Sequence, residues 1–290
     1  VKGIPQAALI ANYLMIQKRV AQVRSWLKEL NENTGRVHGY VNPNGAVTGR
    51  MTHSHPNMAQ IPSSSSPYGK ECRSCWIVPE GYKLVGIDAS GLELRMLAHY
   101  LNDEGYTNEI LNGDIHTANQ KLAGLQSRDQ AKTFIYALLY GAGDAKLGTV
   151  AGRGREAGKR LRQSFFDNLP SFKTLTRSIQ REAKGGFIKG LDGRKLTVRS
   201  EHAALNTLLQ GAGAIIMKQA MIFLNDKLKY LDAKFVANVH DEWQIECHES
   251  IADQVGKLGV EAIIEAGKLL NLNCPLDGDY NVGDNWSETH

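Results

Sequence analysis

The sequence lacks the features that mark secreted or membrane-embedded proteins. It contains only four cysteines in 290 residues, too few for a disulfide framework. Cys72 and Cys75 form a lone C-x-x-C motif, whereas a structural zinc site needs four ligands at regular spacing. No apolar run approaches the ~18 residues that span a bilayer, and the N-terminus has no basic-then-apolar signal pattern. These absences favour a cytoplasmic protein without a membrane segment.

The remaining composition is that of a globular protein with an uneven charge distribution. The chain is 42% hydrophobic and 22% charged, with a net charge of +4. Its length suffices for one large domain or two medium ones. Residues 151–200 hold 13 Lys/Arg against four Asp/Glu. Such a run fits a solvated helical face, and it equally fits a surface that binds the phosphate backbone of nucleic acid.

Hydrophobic periodicity predicts a mixture of helices and strands. Apolar residues recur at helical spacing over residues 6–30, and residues 62–67 are predicted to form an exposed loop. The other predicted elements are a strand over 83–87, helices over 92–101, 127–140, 203–231 and 251–270, a strand hairpin over 234–247 and a short terminal strand. Because the elements lack a regular βαβ alternation, the pattern predicts an α+β fold.

An aspartate stands where the first predicted strand ends, in the segment Asp88-Ala-Ser-Gly-Leu-Glu93-Leu-Arg95. A sheet holds such a carboxylate rigidly, as the binding of a hard cation requires. The alternative role is a cap for the helix that follows, which is common for aspartate in this position. The segment alone leaves both roles open.

A second acidic segment, Val239-His240-Asp241-Glu242, lies at the tip of the predicted hairpin. Hairpin tips usually carry Asn-Gly or Asp-Gly, and neither is present. The His-Asp-Glu sequence therefore forms either a solvated turn or a concentration of charge that serves a site.

The predicted helix over 127–140 carries an ordered polar face. Its start and stop signals are a capping box and a C-terminal glycine, provided by Ser127 with Gln130 and by Gly141. Arg128, Lys132, Tyr136 and Tyr140 recur at every fourth residue and share one face. Two cations followed by two aromatic residues suit a helix that grips a triphosphate at one end and stacks on a base at the other.

These three segments, in this order, resemble motifs A, B and C of the family-A DNA polymerases, the bacterial polymerase I class, and are most similar to replicative polymerases of short-tailed phages. The stretches that carry the resemblance are the Asp88 segment, Leu111-Asn-Gly-Asp-Ile-His-Thr117, Lys132-Thr-Phe-Ile-Tyr136, Gly190-Leu-Asp-Gly-Arg194 and Val239-His-Asp-Glu242. The resemblance implies template-directed DNA synthesis by a palm of antiparallel sheet and helices and by mostly helical fingers.

The resemblance also implies a site for two Mg²⁺ ions. The ligands would be the carboxylates of Asp88 and Asp241 and the backbone carbonyl of Ala89, with Glu242 as an outer, secondary carboxylate. The implied reaction is in-line attack of a primer 3′-hydroxyl on the α-phosphate of a deoxynucleoside triphosphate (dNTP), with pyrophosphate as the leaving group.

Contacts to the dNTP follow from the same resemblance. Three basic residues would clamp its triphosphate: His116, Arg128 and Lys132. Lys132 would also donate a proton to the pyrophosphate. Tyr136 would pack against the sugar, and Tyr140 would stack at the templating position. Glu93 would exclude a ribose 2′-hydroxyl, although without the motif it is a helix-surface glutamate.

Primer–template DNA is the implied partner. The residues that would contact it are Arg50, Asn57, Gln60, His202, Asn206, Gln210 and His240. Arg50 would reach the minor groove near the primer terminus, and His240 would lie near the primer-terminal phosphate. Asn206 and Gln210 would read minor-groove acceptors that all base pairs share. His202 stands where bacterial relatives often carry arginine, which leaves its contact open.

The resemblance divides the chain into four segments. These are the end of a thumb helix (1–30), the first part of the palm (31–109), the fingers (110–205) and the second part of the palm (206–290). The thumb would be largely absent, as would an exonuclease domain. We therefore expect an N-terminal region, or a separate polypeptide of a split polymerase, to complete the enzyme in the cytoplasm, which would be that of an infected bacterium if a phage encodes it.

Two other functions are compatible with parts of the sequence. A non-catalytic nucleic-acid-binding relic of a polymerase would have lost one of its reactive residues, yet Asp88, Asp241 and Lys132 are intact. A single-subunit RNA polymerase would share a related palm, but Glu93 at the sugar gate argues against it.

Overall fold

The computed structural model describes residues 4–152 and 154–290. The helices in these ranges are α1 (Pro5–Lys28), α2 (Gly69–Ser74), α3 (Leu92–Leu101), α4 (Glu104–Leu111), α5 (Ile115–Ala123), α6 (Arg128–Leu139), α7 (Asp144–Val150), α8 (Arg155–Asn168), α9 (Pro170–Ala183), α10 (Ala204–Leu228) and α11 (Ala252–Leu269). The strands are β1 (Leu30–Asn31), β2 (Arg36–Val37), β3 (Tyr40–Asn42), β4 (Thr52–Ser54), β5 (Tyr82–Ala89), β6 (Phe187–Lys189), β7 (Lys195–Thr197), β8 (Ala233–Val239), β9 (Glu242–His248) and β10 (Gly278–Gly283).

The main sheet is antiparallel throughout, with the strand order β10-β5-β9-β8. The inner strand β5 is buried over Leu84–Ile87, as its apolar sequence predicts. β8 and β9 form the predicted hairpin, joined by His240 and Asp241. The predicted terminal strand is β10, which pairs with the other edge of β5. An antiparallel sheet covered by helices confirms the predicted α+β class.

One face of the sheet is covered by helix α11, which packs across β5 and β10. Two glycines permit this approach, because a Cβ atom at Gly259 would collide with Ile87 and one at Gly256 would collide with Tyr280. Helix α10 packs on α11 and on α3. The core between the sheet and these helices includes Ile87 and Trp243, whose side chains are fully buried.

The opposite face of β9 is buried as well. Gln244 and Glu246 are the polar partners of the alternating hairpin sequence, yet they are only 2% and 6% exposed. The C-terminal segment covers them, with Trp286 buried beside this face and Thr289 Oγ1 donating to Gln244 Oε1 at 2.7 Å. Arg36 donates to Glu246 at 2.8 Å. Both faces of the sheet are therefore shielded around its centre.

Helices α4–α9, here called the helical region, pack against one another, and their buried residues continue the core of the sheet side. Phe134 of α6 lies edge-on to Phe165 of α8 at 5.9 Å between ring centroids, and Phe165 lies edge-on to Phe172 of α9 at 5.2 Å. The basic run predicted over 151–200 lies largely on the exposed sides of α8 and α9, although Arg153 lies outside the described residues. Its exposed members on these helices include Arg155, Lys159, Arg160, Arg177 and Arg181.

Helix α10 with its preceding turn (Glu201–Leu228) is long and apolar enough to cross a membrane by length and composition alone. Polar residues such as Gln210 and Lys218 interrupt it, which is why an unbroken apolar run is absent from the sequence. In the structure 61% of its most apolar stretch is buried. α10 is a core helix of the sheet side, packed between α3 and α11.

The predicted exposed loop over 62–67 is exposed only in part. In the segment over 62–67 the serines are exposed or half-buried. Pro62 is buried, and its carbonyl accepts a hydrogen bond from the buried Arg73 at 3.0 Å. All four cysteines are free, and of the C-x-x-C pair Cys72 is buried and Cys75 exposed.

Candidate active site

Asp88 lies near the end of β5, one of the two inner strands of the sheet. The register pairs it with Glu242 on β9 and with Asp279 on β10, so both cross-strand neighbours are acidic. The helix cap that the sequence left open is not formed. α3 begins after Gly91, which has a φ of 58°, and no side chain accepts a hydrogen bond in its first turn. Asp88 therefore does not cap α3, and its carboxylate is carried by the end of the strand.

Asp241 lies in the two-residue tip of the β8–β9 hairpin, beside the end of β5. The tip contains no glycine, and His240 takes up the left-handed conformation that the turn requires, with a φ of 60°. The backbone amide of Ala89 donates to the carbonyl oxygen of Asp241 at 3.1 Å. This bond fixes the tip against the strand end and brings the two predicted metal-ligand segments together.

The carboxylates at this place repel one another. Burial raises the pKa of Asp88 to about 7, and the charges of Asp241 and Glu242 add to the shift, which His290 opposes. Asp88 is nevertheless exposed to solvent, which limits the contribution of burial. A bound cation stabilises the ionised form of such a cluster.

Glu242 faces a different environment from Asp88, although the two are cross-strand partners. Its side chain is buried, and its Oε1 accepts hydrogen bonds from Gln244 Nε2 and Trp286 Nε1, both at 2.6 Å. His290 Nδ1 lies 2.6 Å from its Oε2. Burial alone would raise the pKa of Glu242, but these hydrogen bonds outweigh it and lower the pKa. Glu242 is thus an ionised anchor for the C-terminal segment, a role that its sequence motif does not reveal.

A buried arginine lies behind Glu242. Arg73 places its guanidinium 4.8 Å from the centre of the Trp286 ring and 4.0 Å from Glu242 Oε1. Its sequence position in a short helix gives no sign of this role, because the partners come from the other end of the chain.

The donors available to a metal are two carboxylates and one carbonyl. Within the described residues no group of three or more His, Cys, Asp or Glu side chains is arranged to hold a metal ion by itself. Asp88, Asp241 and the Ala89 carbonyl nevertheless fit Mg²⁺, which commonly binds through one or two carboxylates and completes its shell with water and substrate phosphates. The charges of Asp241 and Glu242, which add to the raised pKa of Asp88, support this fit.

Helix α6 begins and ends as its sequence predicts. Ser127 accepts a hydrogen bond from the Gln130 amide, while Gln130 Oε1 accepts from the amide of Gln126 and not from that of Ser127. Gly141, with a φ of 75°, ends the helix. A Cβ atom at Gly141 would collide with the carbonyl of His202. The predicted DNA contact His202 therefore lies beside the end of α6.

The predicted triphosphate residues gather near the first half of α6. Arg128 Nε donates to Asp114 at 2.6 Å. Lys132 is exposed and forms no ion pair within the described ranges of the chain. The ring of His116 on α5 lies 6.3 Å from that of Tyr136. Burial lowers the pKa of His116, and the charges of Arg128 and Lys132 lower it further, so the three basic side chains share one electrostatic environment.

Tyr136 connects α6 to the acidic pair. Burial raises its pKa, and the charges of Glu93, Asp241 and Asp88 contribute in the same direction. The charges of these three carboxylates therefore reach Tyr136, and its position beside the sugar stays a prediction.

Glu93 on α3 meets the end of α6. The Tyr140 hydroxyl lies 3.0 and 3.2 Å from the two oxygens of Glu93, and Arg50 Nη2 lies 3.4 Å from Oε1. Burial and the charge of Glu93 raise the pKa of Tyr140 to about 12, so the hydroxyl stays protonated and donates. The structure therefore brings together three residues that come from separate motifs.

The remaining predicted DNA contacts lie around this group. Asn206 and Gln210 are half-buried and one turn apart on α10. His240 is surrounded by Arg50, Asp241 and His53; burial lowers its pKa, and Arg50 and His53 lower it further. Asn57 directly precedes the short turn over Met58–Gln60, and Gln60 is the last residue of that turn. Asn57 has a buried side-chain oxygen without a partner within the described residues, and Gln60 is exposed.

Two acidic residues near the site have no role in the sequence analysis. Asp279 pairs with Asp88 across the sheet and accepts a hydrogen bond from Ser90 Oγ at 2.8 Å. Asp114 accepts the hydrogen bond of Arg128. The pairing of β10 with β5 is long-range and leaves no local signal, whereas Asp114 was visible within Asn-Gly-Asp-Ile-His as a helix-capping residue.

Comparison with known proteins gives consistent results. The chain matches the family model described as DNA polymerase family A over residues 2–288. The DNA-directed DNA polymerases of Enterobacteria phage T3 and Escherichia phage T7 are each 47% identical to it, across 97% of this chain and 46% of the phage protein. DNA polymerase I of Pseudomonas aeruginosa is 30% identical, across 91% of this chain and 31% of that protein.

A solved structure has a similar fold. It is the POL domain of Pol1 from M. smegmatis in complex with DNA primer-template and dNTP, with a TM-score of 0.84 and 27% identity, and the match covers 92% of this chain and 51% of that one. The chain spans about half the length of the phage relatives it matches.

Proposed function

The chain belongs to DNA polymerase family A, and on that premise we propose that it carries out template-directed DNA synthesis, joining deoxynucleotides to a primer 3′-hydroxyl with release of pyrophosphate. One observation carries the proposal. The end of β5 and the tip of the β8–β9 hairpin bring Asp88 and Asp241 together, and their charges contribute to the raised pKa of Tyr136. Tyr136 shares one face of α6 with Arg128 and Lys132. An acidic pair next to basic and aromatic side chains suits a nucleotide that arrives with a divalent cation.

Asp88, Asp241 and the Ala89 carbonyl are the groups that would hold two Mg²⁺ ions. When bound, such ions activate the attacking hydroxyl and stabilise the charge of the leaving pyrophosphate. The contribution of the chain is to hold both carboxylates in place before the substrate arrives. The cross-strand register fixes Asp88, and the hydrogen bond from Ala89 fixes the hairpin tip.

The basic residues of α5 and α6 would take the triphosphate. Arg128 and Lys132 lie one helical turn apart, and Lys132 is exposed to accept a new partner. Their charges neutralise the negative charge that grows on the β- and γ-phosphates. Lys132, an ammonium with three donors, would transfer a proton to the departing pyrophosphate. His116 would complete the clamp from α5.

Selection of the sugar would depend on the contacts of Glu93. Tyr140 and Arg50 hold its carboxylate from two sides, so the side chain has little freedom to move away from an added hydroxyl. A fixed side chain in that position rejects ribose by steric conflict. Tyr136 would pack against the same sugar from α6.

Primer–template DNA and dNTPs are the proposed partners, as in the complex of the mycobacterial POL domain. Residues 31–109 and 206–290 would form the palm, the helical region within 110–205 the fingers, and 1–30 the end of a thumb helix. Residues 1–3 of the thumb-helix segment lie outside the residues that the structure describes. Arg50, Asn206 and Gln210 would face the minor groove at the primer terminus, with Asn57, Gln60, His202 and His240 as further DNA contacts.

Primer extension on four templates tests the proposal. The templates differ only in the first unpaired base, and each is offered the four dNTPs separately with Mg²⁺. We expect the complementary nucleotide to be incorporated on every template. Incorporation of the same nucleotide on all four templates, or binding of the duplex without incorporation, contradicts the proposal, and the second result favours a non-catalytic binding protein. Offering ribonucleotides in parallel separates a DNA polymerase from an RNA polymerase.

A further inference from the structure

Asp114 joins two helices whose N-termini carry the proposed triphosphate residues. It is the N-cap of α5, where its Oδ1 accepts a hydrogen bond from the His116 amide at 3.1 Å. Its Oδ2 accepts from Thr117 Oγ1 at 2.8 Å and from Arg128 Nε at 2.6 Å. One carboxylate therefore caps α5 with one oxygen and holds the first residue of α6 with the other.

The contact uses only part of the Arg128 guanidinium. An arginine has five N–H donors, and the bond to Asp114 is made by Nε–H, which leaves the four donors of the two terminal nitrogens. A side chain as long as arginine loses considerable rotamer entropy when a ligand fixes it. A carboxylate that has already fixed Nε removes part of this cost before a phosphate binds.

We propose that Asp114 is a positioning residue for the triphosphate clamp, holding Arg128 by Nε so that its terminal nitrogens are directed to the incoming nucleotide. This inference rests on the proposed function, because it takes Arg128 as a ligand of the triphosphate. The same carboxylate sets the start of α5 and thereby the place of His116. The two basic residues are thus aligned by one acidic group.

The possible roles of Asp114 predict opposite changes in triphosphate binding when its charge is removed, so the direction of the change distinguishes them. If Asp114 only contributes negative charge, its removal should strengthen the binding of a triphosphate. If Asp114 competes with the nucleotide for Arg128, its removal should also strengthen binding. Only positioning predicts weaker binding. The side chains of Arg128 and Asp114 are 52% and 41% exposed, so solvent screens the pair and we expect a change of about fivefold.

Asp114→Asn separates positioning from capping. Asparagine is as good an N-cap as aspartate, and its amide oxygen can take the place of Oδ1 toward the His116 amide. Its NH₂ group then stands in place of Oδ2 and presents donors to Arg128 Nε–H, so this bond is lost. The substitution keeps the helix and removes the tether.

Asp103→Asn is a matched control. Asp103 is the N-cap of α4 and accepts from the Tyr106 amide at 3.0 Å with Oδ1. Its Oδ2 accepts from Ser171 Oγ of α9 at 2.9 Å. As in Asp114, one carboxylate oxygen caps its own helix and the other bonds a side chain of a second helix. Here the partner on the second helix is neutral, and its hydroxyl can accept from the new amide.

Steady-state incorporation of one dNTP on a saturating primer–template measures the effect. We expect Asp114→Asn to raise the KM for dNTP about fivefold while kcat changes less, and Asp103→Asn to leave both unchanged. In an Arg128→Ala background Asp114→Asn should have no further effect on KM. An unchanged or lower KM in Asp114→Asn, or an equal rise in the Arg128→Ala background, overturns the inference.

A failure of the proposed function can be told apart from a failure of the Asp114 inference. If the parent chain incorporates nothing, the proposed function fails, and the binding of inorganic triphosphate measured by calorimetry decides the inference instead. There Asp114→Asn and Arg128→Ala should both weaken binding relative to the parent and to Asp103→Asn. Weaker binding in Arg128→Ala with parental binding in Asp114→Asn overturns the positioning role and keeps the clamp. Parental binding in both overturns the inference together with the assignment of Arg128.

Discussion

The acidic residues at the end of the sheet and the basic residues of α6 are held in place by different means. Backbone pairing places Asp88 opposite Glu242, and a backbone hydrogen bond fixes the turn that carries Asp241. On α6 the Lys132 side chain is exposed, and the Arg128 side chain is held by a side-chain contact to Asp114. The backbone therefore positions the acidic residues, whereas the arrangement of the basic residues depends on side-chain contacts.

This difference predicts where substitutions act. Changes in the acidic pair should lower the rate of the chemical step, because their position is already set and their interactions strengthen in the transition state. Changes on α6 should affect nucleotide binding and rate together. The following substitutions test that division, from the largest expected effect to the smallest.

Replacing either aspartate should have the largest effect. We expect Asp88→Asn and Asp241→Asn each to lower the single-turnover incorporation rate by about 1000-fold, with the Kd for primer–template unchanged. Asp232→Asn is the control, since Asp232 accepts the Tyr82 hydroxyl at 2.7 Å at the opposite end of β5. A variant of the acidic pair that retains a tenth of the parental rate contradicts its assignment.

Lys132→Ala should reduce the rate about 100-fold if Lys132 gives a proton to pyrophosphate, and it should also raise the KM for dNTP. Measuring kcat and KM at several pH values separates the two roles, because a general acid leaves a titration in kcat. Lys159→Ala, an exposed lysine of α8, controls for the loss of one surface charge. A rise in KM without a fall in kcat limits Lys132 to binding.

Tyr136→Phe should make the chain discriminate against dideoxynucleotides at least about 30-fold more strongly than the parent. The phenolic hydroxyl can replace the interactions that a missing 3′-hydroxyl leaves unmade, and a site loses strongly when a polar partner is removed. The ratio of kcat/KM for dNTP and its dideoxy analogue measures this. Equal use of dideoxynucleotides by parent and variant contradicts the predicted contact between Tyr136 and the sugar.

Glu93→Ala should admit ribonucleotides at least about tenfold more readily, because a shorter side chain removes the steric conflict with the 2′-hydroxyl. The dNTP-to-rNTP ratio of kcat/KM is the measurement. Tyr140→Phe refines the comparison, since it removes the hydrogen bond to Glu93 while keeping the ring. A ratio that stays parental in Glu93→Ala excludes this residue as the gate.

Much of the site's frame is local and was therefore predictable from the sequence. The strand before Asp88, the helices α3 and α6, and the hairpin with Asp241 at its tip all occur within a few residues of their predicted bounds. Each depends on periodicity and on start or stop signals within about ten residues. The functional roles of these side chains remain predictions.

The long-range contacts were not predictable. Glu242 is a motif residue, but its carboxylate is occupied by Trp286, His290 and Gln244, partners that only the folded chain brings together. Asp279 reaches Asp88 through strand pairing. No pattern along the sequence encodes such a pairing, because it depends on how distant elements pack.

Helices rich in charge were also missed. α8 and α9 are so polar that few apolar positions mark their buried sides, although Phe165 and Phe172 are fully packed there. Conversely, the apolar spacing of α1 predicts its helix correctly but not burial, since Leu9 is 72% and Tyr13 59% exposed. Hydrophobic periodicity thus predicts that a segment is helical, but not whether its apolar face is buried.

The central claim is that the aspartates of β5 and the hairpin tip hold the divalent cations of DNA synthesis. Titration of Mn²⁺, followed by electron paramagnetic resonance with a dideoxy-terminated primer–template and the next correct dNTP, tests it without relying on catalysis. We expect two ions per complex in the parent and in Asp232→Asn, and the loss or marked weakening of at least one in Asp88→Asn and in Asp241→Asn. Parental stoichiometry and affinity in both variants of the acidic pair would contradict the claim.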